Sequence, residues 1–124
     1  MSTVTLELML PYPPTVNTYW RKWRNRMIIS KKGRAYRNEV VASLAVRRCK
    51  RFRDSRVGVC ITAHPPDRRK RDLDNIPKAL LDALSHADIW QDDEQIDDLR
   101  IIRGEKFDGG LVIVKITELE KEDE

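Results

Sequence analysis

Hydrophobic and polar positions alternate from the start of the chain. In "TVTLELML", residues 3–10, Val4, Leu6, Leu8 and Leu10 fall on one side and Thr3, Thr5 and Glu7 on the other, the period of two that a half-buried strand requires. The run stops at "PYPP", where prolines remove ladder donors. "VGVCITA", Val57 to Ala63, repeats the alternation with Val57, Val59, Ile61 and Ala63 facing one way, until Pro65 and Pro66 end it. "DDLRIIR" and "LVIVKIT" read as two more strands joined by "GEKFDGG", whose paired glycines suit a turn. Elsewhere the period lengthens. From about Lys31 to Lys50, Tyr36, Val40, Leu44 and Ala45 recur at helical spacing behind Ser30, a suitable N-cap. From Asn75 to His86, Ile76, Ala79, Leu80, Ala83 and Leu84 form a core stripe, while Lys78, Asp82 and Ser85 face away. Pro77 is no obstacle in the first turn, where its missing amide has no partner to lose. Strands and helices mix without strict βαβ alternation, so the pattern predicts an α+β domain: a mixed sheet of four to five strands with two main helices packed on it.

A chain of 124 residues fits one domain, expected over residues 1–117 and followed by an acidic, disordered tail at 118–124. The formal net charge of +4 understates how basic the body is, because the last seven residues, "ELEKEDE", carry five acids and one lysine. Setting them aside takes the bases from 24 to 23 and the acids from 20 to 15, leaving +8. Such an excess favours a polyanionic partner, nucleic acid above all, over a merely soluble surface. Cys49 and Cys60 form no CxxC pair and have no zinc-finger spacing to a histidine, so they read as buried or idle thiols in a reducing compartment. The sequence has no apolar run of transmembrane length and no secretory pattern at its start, and a cytoplasmic protein that does not engage a membrane is expected.

Charge then changes the reading of two segments. In "TVNTYWRKWRNRMIIS", Tyr19, Trp20 and Trp23 interleave with Arg21, Lys22, Arg24 and Arg26, a mixture able to stack on bases while neutralising phosphates. The plainer alternative is a hairpin whose aromatics pack on the core. The cations of "RRCKRFRDSR" suit a helix C-terminus as well as they suit DNA.

The second segment, "RRKRDLDNIPK", sets four cations, Arg68 to Arg71, against Asp72 and Asp74. In extended chain these two carboxylates point the same way and can share one cation, with Leu73 turned inward as an anchor. Asp92 and Asp93 follow the second helix in "WQDDEQ", and a short helix folding back is expected to return them to the level of the first pair. Oxygen ligands without His or Cys suit Mg2+, with Mn2+ a substitute, and such an ion activates water and stabilises charge on a phosphodiester. Lys78, one turn beyond Asp74, either pairs with Asp74 and Asp82 or reaches a phosphate and stabilises the transition state. Metal-binding carboxylates repel a phosphate backbone, and the adjacent cations offset that repulsion. The alternative is a solvated turn in which Asp74 or Asn75 caps the helix and Asp92 and Asp93 belong to another polar turn. His64 and His86 are assigned no role.

These residues carry a resemblance. "PDRRKRDLDNIPKALLDALSHADIWQDDEQIDDLRI" resembles the signature region of the RusA family of Holliday-junction resolvases of bacteriophages and prophages, and "PYPPTVNTYW" is similar to that family's entry segment. The likeness runs through about Thr117. It implies a homodimeric, Mg2+-dependent endonuclease, with no organic cofactor, that binds four-way DNA junctions in a bacterial host cell and makes paired symmetric nicks during recombination and repair. By matching position it places the essential carboxylates at Asp72, Asp74 and Asp93 and the catalytic lysine at Lys78. Asp92 matches an adjacent acid, a further ligand or a neighbour of one. Arg68, Arg69 and Arg71 match the DNA-binding loop, Lys70 keeping the charge without bidentate geometry; Asn75 and the cations at positions 21, 22, 24 and 26 are added as DNA contacts. Ile89 and Gln91 depart from the family's usual neighbours. Two other readings compete: a non-catalytic module that binds branched nucleic acid, and a metal-dependent nuclease for flaps or forks.

Overall fold

The N-terminal alternation becomes β1 (Thr5–Pro11), with Leu8 and Leu10 buried, in a computed structural model that describes residues 5–46 and 50–119. The expected start of that strand at Thr3 and Val4, the helix end at 47–49 with Cys49, and the tail beyond 119 lie outside the described residues. Thr15 caps a short α1 (Val16–Tyr19), and an antiparallel hairpin of β2 (Trp20–Trp23) and β3 (Arg26–Ile29) follows. Then come α2 (Lys31–Val46), β4 (Val57–His64), a 3-10 turn at Leu73–Asn75 and α3 (Pro77–His86). A second 3-10 turn at Asp93–Gln95 leads into β5 (Ile96–Arg103), and β6 (Leu111–Glu118) completes the order.

The mixed sheet has four strands in the order β1-β6-β4-β5, with β4 and β5 parallel and the other pairs antiparallel. β5 and β6 are therefore not neighbours, although the paired glycines between them suit a hairpin. Gly109 and Gly110 do turn the chain, at φ of +86° and +72°, but the loop carries it past the end of β4. Side chains explain the order. β6 buries Val112, Val114 and Ile116 and profits from a neighbour on each side, whereas "IDDLRIIR" of β5 carries charges that suit an edge.

The inner face of β4, with Val57, Val59, Ile61 and Ala63 all buried, packs with the β6 residues against α2 and α3. In α2 the buried stripe is Gly33, Tyr36, Val40 and Leu44; Ala45 is exposed, because one further residue rotates it by about 100° off that line. Ser30 caps the helix as its sequence suggests: its Oγ accepts from Gly33 N at 2.9 Å and donates to the Thr18 carbonyl. A Cβ on Gly33 would lie 2.5 Å from the Tyr19 carbonyl oxygen, so α2 sits directly on α1. Ile89 is fully buried in the core.

One half-buried polar cluster ties the helices together. The Tyr19 hydroxyl donates to Asp82, and Arg37 bonds the same carboxylate through Nε at 2.9 Å and Nη2 at 2.8 Å. Burial first, and then the hydrogen bond to Asp82, push the Tyr19 phenol far above its ordinary range. Asp82 thus pairs with α2, not with Lys78 on its own helix.

Candidate active site and nucleic-acid interface

β1, β4 and β5 all end at one edge of the sheet, where Pro11 and His64 both pair with Leu111 at the start of β6. The basic loop that leaves β4 is held there by Asp67. Its Oδ1 accepts from Arg69 N at 2.9 Å and pairs with Arg71 Nη1 at 2.6 Å, while Oδ2 lies 3.3 Å from Arg69 Nε. Arg71 chiefly, then the Arg69 amide, hold the Asp67 carboxyl far below the usual carboxylate range. Arg103, at the end of β5, donates to the Arg71 carbonyl at 2.8 Å. Arg68 and Lys70 are exposed and make no ion pair among the described residues. A groove of about 730 Å³ runs past Arg68, Lys70, Arg103 and Lys106. Sequence reading missed Asp67, Arg103 and Lys106. Arg103 reaches the loop only because β5 lies parallel to β4, and no local pattern signals that.

Asp72 is extended, at φ −86° and ψ 136°, but Asp74 falls in the 3-10 turn, so the two are not successive same-face residues of a strand. Leu73 between them packs against the core as an anchor. Both aspartates are exposed, and among the described residues neither carboxylate has a hydrogen-bond or salt-bridge partner. The expected alternative of helix capping is absent: Ile76 holds the N-cap position of α3, without a side-chain cap bond. Lys78 is exposed, free of ion pairs among the described residues, and in the first turn of α3.

Asp92 and Asp93 lie elsewhere. Asp93 Oδ1 accepts from Ser85 Oγ near the end of α3 and from the buried Trp90 Nε1 at 3.1 Å. Asp92 caps the following 3-10 turn, taking Glu94 N at 3.1 Å, while Gln95 Oε1 accepts from the amides of Gln91 and Asp92. From Pro77 to Ser85 the helix rises about 12 Å. The chain then enters β5 at the far edge, where Ile96 pairs with Val57 at the opposite end of β4 from the basic loop. The expected fold-back fails because one helical crossover between parallel strands must carry the chain across the sheet. Accordingly, no three His, Cys, Asp or Glu side chains converge among the described residues. The donor chemistry of Asp72 and Asp74, exposed carboxylates without partners among the described residues, suits a hard divalent cation, which takes one or two carboxylates and fills its shell with water and phosphate oxygens.

The hairpin divides its aromatics. Tyr19 belongs to the core, Trp20 is half-buried against it, and Trp23 is 45% exposed with the Arg24 guanidinium 4.5 Å above its ring. Arg21, Lys22, Arg24 and Arg26 are all exposed. Arg24 and Asn25 make the turn at φ of +48° and +62°, the left-handed pair that a two-residue hairpin needs. His64 is structural: its Nδ1 donates to the Glu105 carbonyl at 2.8 Å, and its ring lies against Gly104. His86 is exposed in the last turn of α3, and Cys60 forms no disulfide among the described residues. No helix among the described residues is long and apolar enough to cross a membrane.

Comparison with known proteins gives a consistent match. The family described as Endodeoxyribonuclease RusA matches residues 11–117. A crossover junction endodeoxyribonuclease of Enterobacteria phage HK97 is 49% identical over 114 residues, covering 92% of this chain and 95% of that protein. Proteins of the same description from Shigella sonnei (strain Ss046) and Escherichia coli (strain K12) are 40% and 39% identical over 118 residues, covering 95% of this chain and 98% of each.

Proposed function

The chain belongs to the RusA family, and from that membership we propose that it is a crossover junction endodeoxyribonuclease, a metal-dependent phosphodiester hydrolase that resolves four-way DNA junctions as a homodimer. The observation that carries the chemistry is the pair of exposed carboxylates, Asp72 and Asp74, without partners among the described residues and directly following a basic loop whose Arg68 and Lys70 make no ion pair there. Asp72 lines a groove with Lys70, and an exposed carboxylate left unpaired there suits a metal ligand. Asp72 and Asp74 would hold Mg2+, or Mn2+ in its place, which would supply Lewis-acid activation of water and stabilisation of the charge that develops on the phosphodiester. Arg68, Arg69 and Lys70 hold the backbone, with Arg71 bracing the loop through Asp67. The role assigned to Lys78, exposed in the first turn of α3, is to stabilise the phosphoryl charge of the transition state. Asn75 and the hairpin cations Arg21, Lys22, Arg24 and Arg26 extend the contact along an arm. The substrate is the DNA of the bacterial cytoplasm.

The third carboxylate points to the dimer. Asp93 and the Asp72–Asp74 pair sit at opposite ends of α3 and β5 in one chain. A two-fold axis across the middle of β5, near the 43% exposed Leu99, exchanges those ends and sets the partner's Asp93 toward Asp72 and Asp74. In antiparallel register about Leu99, Asp98 of each strand faces an arginine of the other, a self-complementary edge. The arrangement gives two sites related as the two opposed strands of a junction are.

The test is cleavage of a labelled four-way junction beside a flap and a linear duplex, in Mg2+ and in EDTA. Symmetric nicks in the junction alone, lost in EDTA and in Asp74→Asn, are expected. Preferred cleavage of the flap would replace the reading with a flap nuclease, and tight binding without cleavage in Mg2+ or Mn2+ would replace it with a binding module.

A further inference from the structure

A second groove, of about 500 Å³, opens beside the first and shares Lys70 and Arg71 with it. It lies between the exit of β1 and the Asp72 loop, and its character differs. Pro13 and Ile76, both buried, contribute an apolar floor, and Tyr12 forms a half-buried wall. The Tyr12 ring is backed by the 104–110 loop: a Cβ on Gly110 would lie 2.9 Å from Tyr12 Cβ and 3.1 Å from Pro66 Cδ. Asp72 closes one end.

The polar groups around this floor are not all committed. Thr15 spends its hydroxyl on Thr18, and Arg71 is paired with Asp67. The Tyr12 hydroxyl and the Asn75 amide have no hydrogen-bond partner among the described residues. An aromatic wall, an apolar floor and a free amide with donor and acceptor side by side suit a flat heterocycle with a hydrogen-bonding edge. A phosphate would gain little here, since Lys70 is the one lining cation whose charge is not already paired. The volume lies within the usual range for sites that hold small planar ligands.

Resting on the resolvase reading above, we propose that this groove takes an unstacked nucleobase flanking the phosphodiester at Asp72, and that Tyr12 and Asn75 determine which base is accepted. Tyr12 stacks on the base and Asn75 reads its edge, while Lys70 holds the adjoining phosphate. Bases at the exchange point of an open four-way junction have lost a stacking neighbour, which lowers the cost of withdrawing them. The groove therefore links the choice of a branched substrate to a preference for sequence at the cut.

The test places 2-aminopurine at each position around the exchange point of an immobile junction and titrates the full chain in Ca2+ without Mg2+. One position in each of two opposed strands should change its fluorescence to saturation. That change should vanish in Tyr12→Ala and persist in Tyr12→Phe, which keeps the ring. In Mg2+, Asn75→Ala should compress the spread of cleavage rates among the four bases at that position at least tenfold. Thermal melting of each variant separates loss of the pocket from loss of the fold, and Asn75→Ser, which keeps a small polar side chain, should shift the base preference. Junction binding with an unchanged fluorescence pattern in Tyr12→Ala and an unchanged preference in Asn75→Ala would overturn the pocket and leave the resolvase standing. Absence of junction binding would overturn both.

Discussion

If Asp93 serves the site of its partner, two inactive variants should restore one another. Asp72→Asn and Asp93→Asn each remove a carboxylate from every site of their own homodimer, and each should lower junction cleavage by more than the roughly 100-fold that losing a neighbour of a metal ligand costs. Mixed in equal amounts and allowed to exchange subunits, they should form about half heterodimers by symmetry. Each heterodimer then has one site with both native carboxylates and one with neither, so about a quarter of all sites should cut. The separation behind this is the length of α3, about 12 Å from its first residue to Ser85, with Asp93 bonded at the far end. The assay is a labelled junction resolved on a denaturing gel in Mg2+, with heterodimers isolated through two different tags. Single nicks without paired resolution are expected, because only one strand meets a complete site. Isolated heterodimers that cut no better than either parent would rule out a shared site, since a site built within one chain stays broken in every subunit of the mixture.

The half-buried cluster, the helix contact and the basic loop give further expectations. Tyr19→Phe removes a donor from Asp82, whose side chain is 26% exposed, and should cost about 2 kcal/mol in urea unfolding, the range for a hydrogen bond to a charged group. Gly33→Ala should lower the melting temperature although alanine ordinarily stabilises a helix interior by about 1 kcal/mol, because the new Cβ meets backbone 2.5 Å away; a higher melting temperature would show that α2 can shift. The Asp67 carboxyl, held down by Arg71, contributes stability that is present above its unfolded value near 3.9 and is lost only as pH falls through the lower native value. Its carboxyl NMR signal should therefore stay flat as pH falls from 7 through about 3.9, where an ordinary Asp is already half protonated. Arg68→Ala should weaken binding to all junction sequences alike and reduce the slope of affinity against salt by about one.

Features that depend on neighbours a few residues away were legible in the chain alone. Alternation in residues 57–63 marked β4, the spacing of Ile76, Ala79, Leu80, Ala83 and Leu84 marked α3, and Ser30 marked the start of α2. The dense loop around Asp72 and Asp74 was legible because carboxylates and cations so close together need a common task. Strand order was not legible, since two glycines after β5 permit a hairpin as readily as a passage over β4. The pairing of Arg37 with Asp82, the arrival of Arg103 at the basic loop and the displacement of Asp93 to the opposite edge were equally hidden. Each follows from which strands lie side by side, and that choice is made by burial summed over the whole sheet: β6 gains most between two neighbours, and charged β5 loses least at the rim.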